Sequence, residues 1–182
     1  SDFLAENNSL LDPLSSGVYG YDGDASNGWT IINSANASLY EITPGQGFFV
    51  ASDSGGTITF TPDMRILGSN DDFIAGKNSG ITYLKLEVNS NSESYKTDFY
   101  FTDNASLGLD PGYDASVFGD VAPDFAIYSQ LVNDNQGLDM AIQSVSNTDL
   151  SNNVIIPLGI NANQGQQLTV SIVETTLPEN TN

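Results

Sequence analysis

The chain has 182 residues, with 23 acidic against four basic side chains, no histidine, no cysteine and a formal net charge of -19. Without His and Cys, disulfides, thiolate nucleophiles, Ser-His and Cys-His dyads and the usual zinc, copper and iron ligand sets are excluded, which leaves oxygen-ligand metals. The charge repels phosphate backbones and anionic lipids and so argues against nucleic acid and membrane partners.

No apolar run approaches the ~20 residues of a membrane-spanning helix, and Ser1 is not followed by a charged region and an apolar signal core. The chain therefore reads as a mature or excised region of a larger protein. Ser, Asn, Thr, Gly and Asp dominate between short apolar runs, the pattern of many short strands joined by polar turns.

In chain order, Asp2–Asn7 offers an Asp cap and a short apolar face, which predicts one helical segment ending by Pro13. Strands are predicted at Gly17–Tyr21, Trp29–Asn33, Gly47–Ala51 and Thr57–Thr61. Asp22-Gly23-Asp24-Ala25-Ser26-Asn27-Gly28 has the oxygen-rich look of a calcium loop. Its spacing is off by one residue, however, and it lacks the distal Glu, so it reads as a hairpin loop. Arg65 is expected to form an ion pair with Asp63, Asp71 or Asp72. Gly76-Lys77-Asn78-Ser79-Gly80 reads as a connector between an N-terminal β unit, 1–76, and a second unit, 77–182, unless the two are one continuous domain.

Alternation is clearest beyond it: Leu84, Leu86 and Val88 against Tyr83, Lys85 and Glu87, then Tyr95, Thr97, Phe99 and Phe101 against Lys96, Asp98 and Tyr100. The period recurs at Leu138–Ile142 and Leu168–Ile172. Each segment has one apolar and one polar face, so the fold class expected is all-β, an antiparallel β-sandwich of jelly-roll or Ig-like type with little helix.

Between these strands lies a long acidic loop with Asp103, Asp110, Asp114 and Asp120, followed by Asp124. Calcium takes six to eight oxygen ligands, and repeated carboxylates among backbone carbonyls supply that chemistry, so these four are the candidate metal ligands and calcium the candidate ion. Aromatic rings are the other resource, because sugars stack their apolar faces on exposed rings. Tyr83 and Tyr100 fall on the expected wet face of adjacent strands. With Tyr113 and the single tryptophan, Trp29, they form the candidate ligand-binding set, although a core role for Trp29 is the stronger expectation.

The segment Ile42-Thr43-Pro44-Gly45-Gln46-Gly47-Phe48-Phe49-Val50, followed by Thr57-Ile58-Thr59-Phe60-Thr61 and Met64-Arg65, resembles a region of large exported Bacteroidetes proteins. In those proteins it precedes the C-terminal sorting domain of type IX secretion. Asp110-Pro111-Gly112-Tyr113-Asp114-Ala115 and Ile156-Pro157-Leu158-Gly159-Ile160 are similar to two further marks of that region. The resemblance implies an extracellular or cell-surface location and neighbouring domains in a larger parent. Alternation along Gly47–Ala51 allows only one of Phe48 and Phe49 to face inward.

Three functions follow as expectations. The first is a non-catalytic adhesion or binding module for a polysaccharide or surface glycan, ordered by calcium. The second is a structural spacer that links a larger domain to a sorting domain. The third is a glycoside hydrolase that works with carboxylates alone.

Overall fold

The segments with the strictest alternation form the two longest strands, and the fold is built around them. The computed structural model describes residues 2–21, 29–66 and 80–178. The Asp22–Gly28 loop, Asp71, Asp72 and residues 76–79 of the connector lie outside the described residues.

A short helix, α1 (Asp2–Asn7), leads into a 3-10 turn and then a hairpin of β1 (Val18–Tyr21) and β2 (Trp29–Ile32). The main sheet comprises β3 (Thr82–Asn89), β4 (Ser94–Phe101), β5 (Ala115–Ser116), β6 (Ala126–Ser129), β7 (Met140–Val145), β8 (Leu158–Asn161) and β9 (Thr169–Thr175). A second short helix, α2 (Asn147–Leu150), follows β7 and is capped by Ser146, whose side chain accepts from the Asp149 amide. The chain is all-β with little helix, as the composition implies.

The strand order is β8-β6-β7-β4-β3-β9, with β5 also paired to β7. One pairing departs from the antiparallel expectation. β4 and β7 run parallel, with Asp98 opposite Ile142 and Phe101 opposite Val145. Parallel neighbours need a long crossover, and residues 102–139 supply it, carrying the acidic loop, β5 and β6. Residues of β6 come within 8 Å of β3 and β4, two or three strands away in the sheet order. A flat sheet with strands about 4.8 Å apart would hold β6 and β3 roughly 14 Å apart, so the sheet folds over on itself into packed layers.

Val88, Tyr95, Ala126, Ile127 and Ile142 belong to one buried cluster, which also takes Tyr19, Ile31 and Leu39 from the N-terminal segment. The segments on either side of the expected boundary therefore share a core. They are also tied by Tyr19 Oη donating to Ser116 O at 3.3 Å and by Asn33 Nδ2 donating to Tyr113 O at 2.8 Å. The other face of the hairpin, with Val18 and Ile32, packs with Leu4 and Leu11 in a smaller cluster.

Two predicted strands are not formed. Gly47–Ala51 contributes only an isolated bridge, Phe49 to Tyr19, and Thr57–Thr61 is not in a ladder. Asn7 explains the second case. Its side-chain amide donates to Thr59 O at 3.0 Å and accepts from Thr59 N at 2.7 Å, so one side chain replaces a partner strand. Phe48 and Phe49 do split as alternation requires: Phe48 packs edge-on to Phe3 at 5.5 Å, and Phe49 is exposed.

At the second sheet edge, Gly159 lies under the Tyr128 ring, where an added Cβ would meet ring carbons at 2.3 Å. Gly159→Ala is expected to destabilise the fold by about 1–3 kcal/mol through overpacking, measurable by denaturant unfolding.

Candidate functional site

Six residues of β3 and β4 share the sheet face opposite Val88 and Phe99: Tyr83, Lys85, Glu87, Lys96, Asp98 and Tyr100, paired across the strands as Tyr83–Tyr100, Lys85–Asp98 and Glu87–Lys96. Period-two alternation makes this the polar face. Solvent should cover it, but the hairpin covers part of it instead. Tyr100 is only 1% exposed, because Tyr19, Ile31 and Leu39 join it in the core and Asn36 Nδ2 donates to its hydroxyl at 3.4 Å. The expectation that Tyr100 stands on a wet face is thus overturned by the packing of the hairpin. Its pairing with Tyr83 holds, with ring centroids 6.1 Å apart.

Where the hairpin stops short of covering this face, a cleft of about 310 Å³ remains, walled by Trp29, Ile31 and Tyr40 and floored by Lys85, Lys96 and Asp98, with Val173 and Glu174 at its side. Glu174 reaches the cleft through a β-bulge. Lys85 pairs with Glu174 and the next residue, Leu86, pairs with Ile172, so Val173 is an extra residue in β9. In an unbroken register Glu174 would share the face of Ile172. The bulge turns it to the face of Lys85.

The charges of the cleft compensate one another. Lys85 Nζ lies 2.9 Å from Glu174 and 5.3 Å from the centre of the Tyr83 ring, and Lys96 Nζ lies 3.5 Å from Glu87. Tyr83 Oη donates to Glu174 Oε1 at 2.5 Å, and Tyr100 Oη to Asp98 Oδ2 at 3.1 Å. Burial works against the Lys85 ammonium, but Asp98 and the hydrogen bond to Glu174 outweigh it and hold its pKa above the ordinary lysine value. Burial pushes the Asp98 carboxyl up, opposed by Lys85 and by the Tyr100 hydrogen bond. Glu174 is held below the ordinary glutamate value by its bonds from Tyr83 and Lys85.

Trp29 joins this cleft to an exposed aromatic surface. Phe118 stacks on its ring at 4.2 Å and 13°, while Tyr21 and Phe49 meet it edge-on at 5.5 Å each. Tyr21, Phe49 and Phe118 are 62%, 57% and 48% exposed, whereas Trp29 is half-buried. Large rings gathered at a surface make it a candidate interaction site.

Each of the four predicted metal ligands accepts hydrogen bonds, and Asp110 and Asp114 are neighbours. Asp103 accepts from Asn147 Nδ2 at 2.8 Å, Asp110 from the Ser106 amide at 2.6 Å, and Asp120, at φ 64°, from Ser116 Oγ at 2.6 Å. Asp114 has no solvent exposure and accepts from the amides of Ser144 and Asp110 at 2.7 Å each. Burial pushes its carboxyl up to about 7 against those two bonds. Among the described residues no group of three or more acidic side chains lies together. Tyr113 is half-buried against the main core, and its carbonyl accepts from Asn33 and Ser144. Arg65 Nε donates to Pro62 O at 3.3 Å.

The alternation placed Lys85, Lys96 and Asp98 on one polar face but did not mark them as a site. Glu174 was hidden by the bulge. Phe118 stands in a short apolar run before Gly119, a signal shared by many turns.

Fold and site together define a small all-β protein with an aromatic surface opening into a charge-compensated cleft. The chain belongs to the family described as a domain of unknown function, DUF8693, whose model matches residues 6–176. No curated protein and no solved structure matches it.

Proposed function

We propose that this chain is a non-catalytic binding module of a secreted or cell-surface bacterial protein and that its ligand is a polysaccharide or surface glycan. The observation that carries the reading is the continuity, through Trp29, of an exposed aromatic surface with a polar cleft. Pyranose rings have apolar faces that stack on aromatic rings and hydroxyl edges that need both donors and acceptors, and this surface offers both. The absence of His and Cys removes most catalytic machinery and supports a binding role. A glycan array followed by titration calorimetry tests the reading; no ligand in either would end it. A reducing-sugar assay on the bound glycans separates binding from carboxylate-dependent hydrolysis.

A second reading, a spacer packed between neighbouring domains of an exported parent, draws support from the exposed apolar residues of both edge strands, Leu158 and Ile160 on β8 and Val170 and Ile172 on β9. If removing the module from the parent abolishes glycan binding while export persists, the spacer reading falls. Calcium ordering of the acidic loop is part of the first proposal. Its expected signature is a melting temperature that rises with added calcium and falls with chelator.

A further inference from the structure

We propose that the cleft beside Trp29 takes a single uncharged sugar ring, and that Glu174, turned inward by the bulge at Val173, is the residue that selects it. This inference rests on the glycan-binding reading and deepens it.

Three observations lead to it. The first is charge. Each ammonium of the cleft already has a carboxylate, Glu174 for Lys85 and Glu87 for Lys96, and Asp98 stands across from Lys85. No surplus positive charge is left to offset the desolvation of an anionic sugar. The net charge of -19 adds repulsion against any polyanion that approaches. A cationic sugar finds Glu174 and Glu87 already paired with Lys85 and Lys96.

Size is the second. A volume of about 310 Å³ sits at the low end for small-ligand sites, which are ~300–1,000 Å³, so it suits one ring and not a run of rings. Neighbouring units of the chain would lie over Phe118, Phe49 and Tyr21, the rings that continue outward from Trp29.

The third is hydrogen-bond chemistry. An ammonium only donates and a carboxylate only accepts, whereas a sugar hydroxyl does both. Lys85 and Glu174, 2.9 Å apart, form a donor-acceptor pair that adjacent hydroxyls of one ring can engage together. The bulge is what creates that pair, since without the extra residue the carboxylate would stand on the opposite face.

The test is calorimetry on the full chain against three probe sets: neutral glucans, mannans and galactans; the uronate polymers alginate and polygalacturonate; and chitosan oligosaccharides. Each is measured at about 0.02 and 0.5 M salt. The expected result is binding to at least one neutral polymer, with affinity changed by less than about twofold between the two salts, and a loss of about tenfold or more in Glu174→Gln and in Lys96→Met. Both side chains are partly exposed, so melting curves of these variants should stay close to the parent and separate lost binding from lost folding.

Binding to none of the probes would overturn the glycan reading and this inference with it. Binding confined to uronates or to chitosan, and weakened by salt, would leave the glycan reading standing and overturn the uncharged ring. Neutral binding that survives both substitutions would overturn the cleft as its seat.

Discussion

Replacing Asp114 with alanine should destabilise the fold by about 2–6 kcal/mol at pH 5, and by distinctly less at pH 8. The first part follows from hydrogen bonds. The carboxyl group has no solvent exposure, and its two oxygens accept from two backbone amides, those of Ser144 in β7 and Asp110 in the crossover loop. Removing it leaves two buried donors unpaired, at about 1–3 kcal/mol each.

The second part follows from the carboxyl being pushed up to about 7 by burial. An acid whose folded pKa exceeds its unfolded value of about 3.9 binds its proton more tightly in the folded state. The stabilisation that this proton affinity provides is complete below about pH 4 and is lost as pH rises through 7. Above that pH the native protein carries a buried charge that the alanine variant does not, so the two stabilities approach each other. Repulsion among the remaining carboxylates lowers both with rising pH and cancels in the difference. Urea unfolding of both proteins at pH 5 and pH 8 measures it; an equal gap at the two pH values would mean that Asp114 is ionised throughout.

Trp29→Ala is expected to weaken glycan binding by about 30-fold or more, the ~2 kcal/mol typical of a central aromatic anchor. Among the described residues Trp29 is the one ring that both lines the cleft and belongs to the aromatic surface, so its loss removes a wall of the first and the middle of the second. Phe49→Ala serves as the comparison. It removes a 57% exposed ring at the margin of the cluster and should weaken binding by about tenfold or less. Because Trp29 is half-buried, unfolding curves of both variants are needed, and affinities compared where both are fully folded. Equal losses in the two variants would show that the surface binds by bulk apolar area and that the cleft has no part.

The strands were legible where alternation is long and strict. Thr82–Asn89 and Ser94–Phe101 carry it for eight residues each, and Val18–Tyr21 and Trp29–Ile32 were placed to within a residue. Leu158–Asn161 and Ala126–Ser129, four residues each, are not among the predicted strands. Thr57–Thr61 has a strand's composition, yet Asn7 satisfies the peptide of Thr59 from 52 residues away, and no local pattern reports that.

The site divides in the same way. Sequence alone determined that the protein is all-β, that its charge and lack of His and Cys narrow its chemistry, and that Lys85, Lys96, Asp98 and Tyr100 share one face of a two-stranded ladder. These follow from composition and from the period of a strand, both local properties. Only the tertiary structure decided what covers that face. The hairpin buried Tyr100, left a cleft beside Trp29, and brought Phe118 against the Trp29 ring from 89 residues away. The bulge at Val173 reversed the side of the sheet on which Glu174 stands. A one-residue insertion in register inverts every facing direction beyond it, and whether a strand carries one depends on the partner strand as much as on its own sequence.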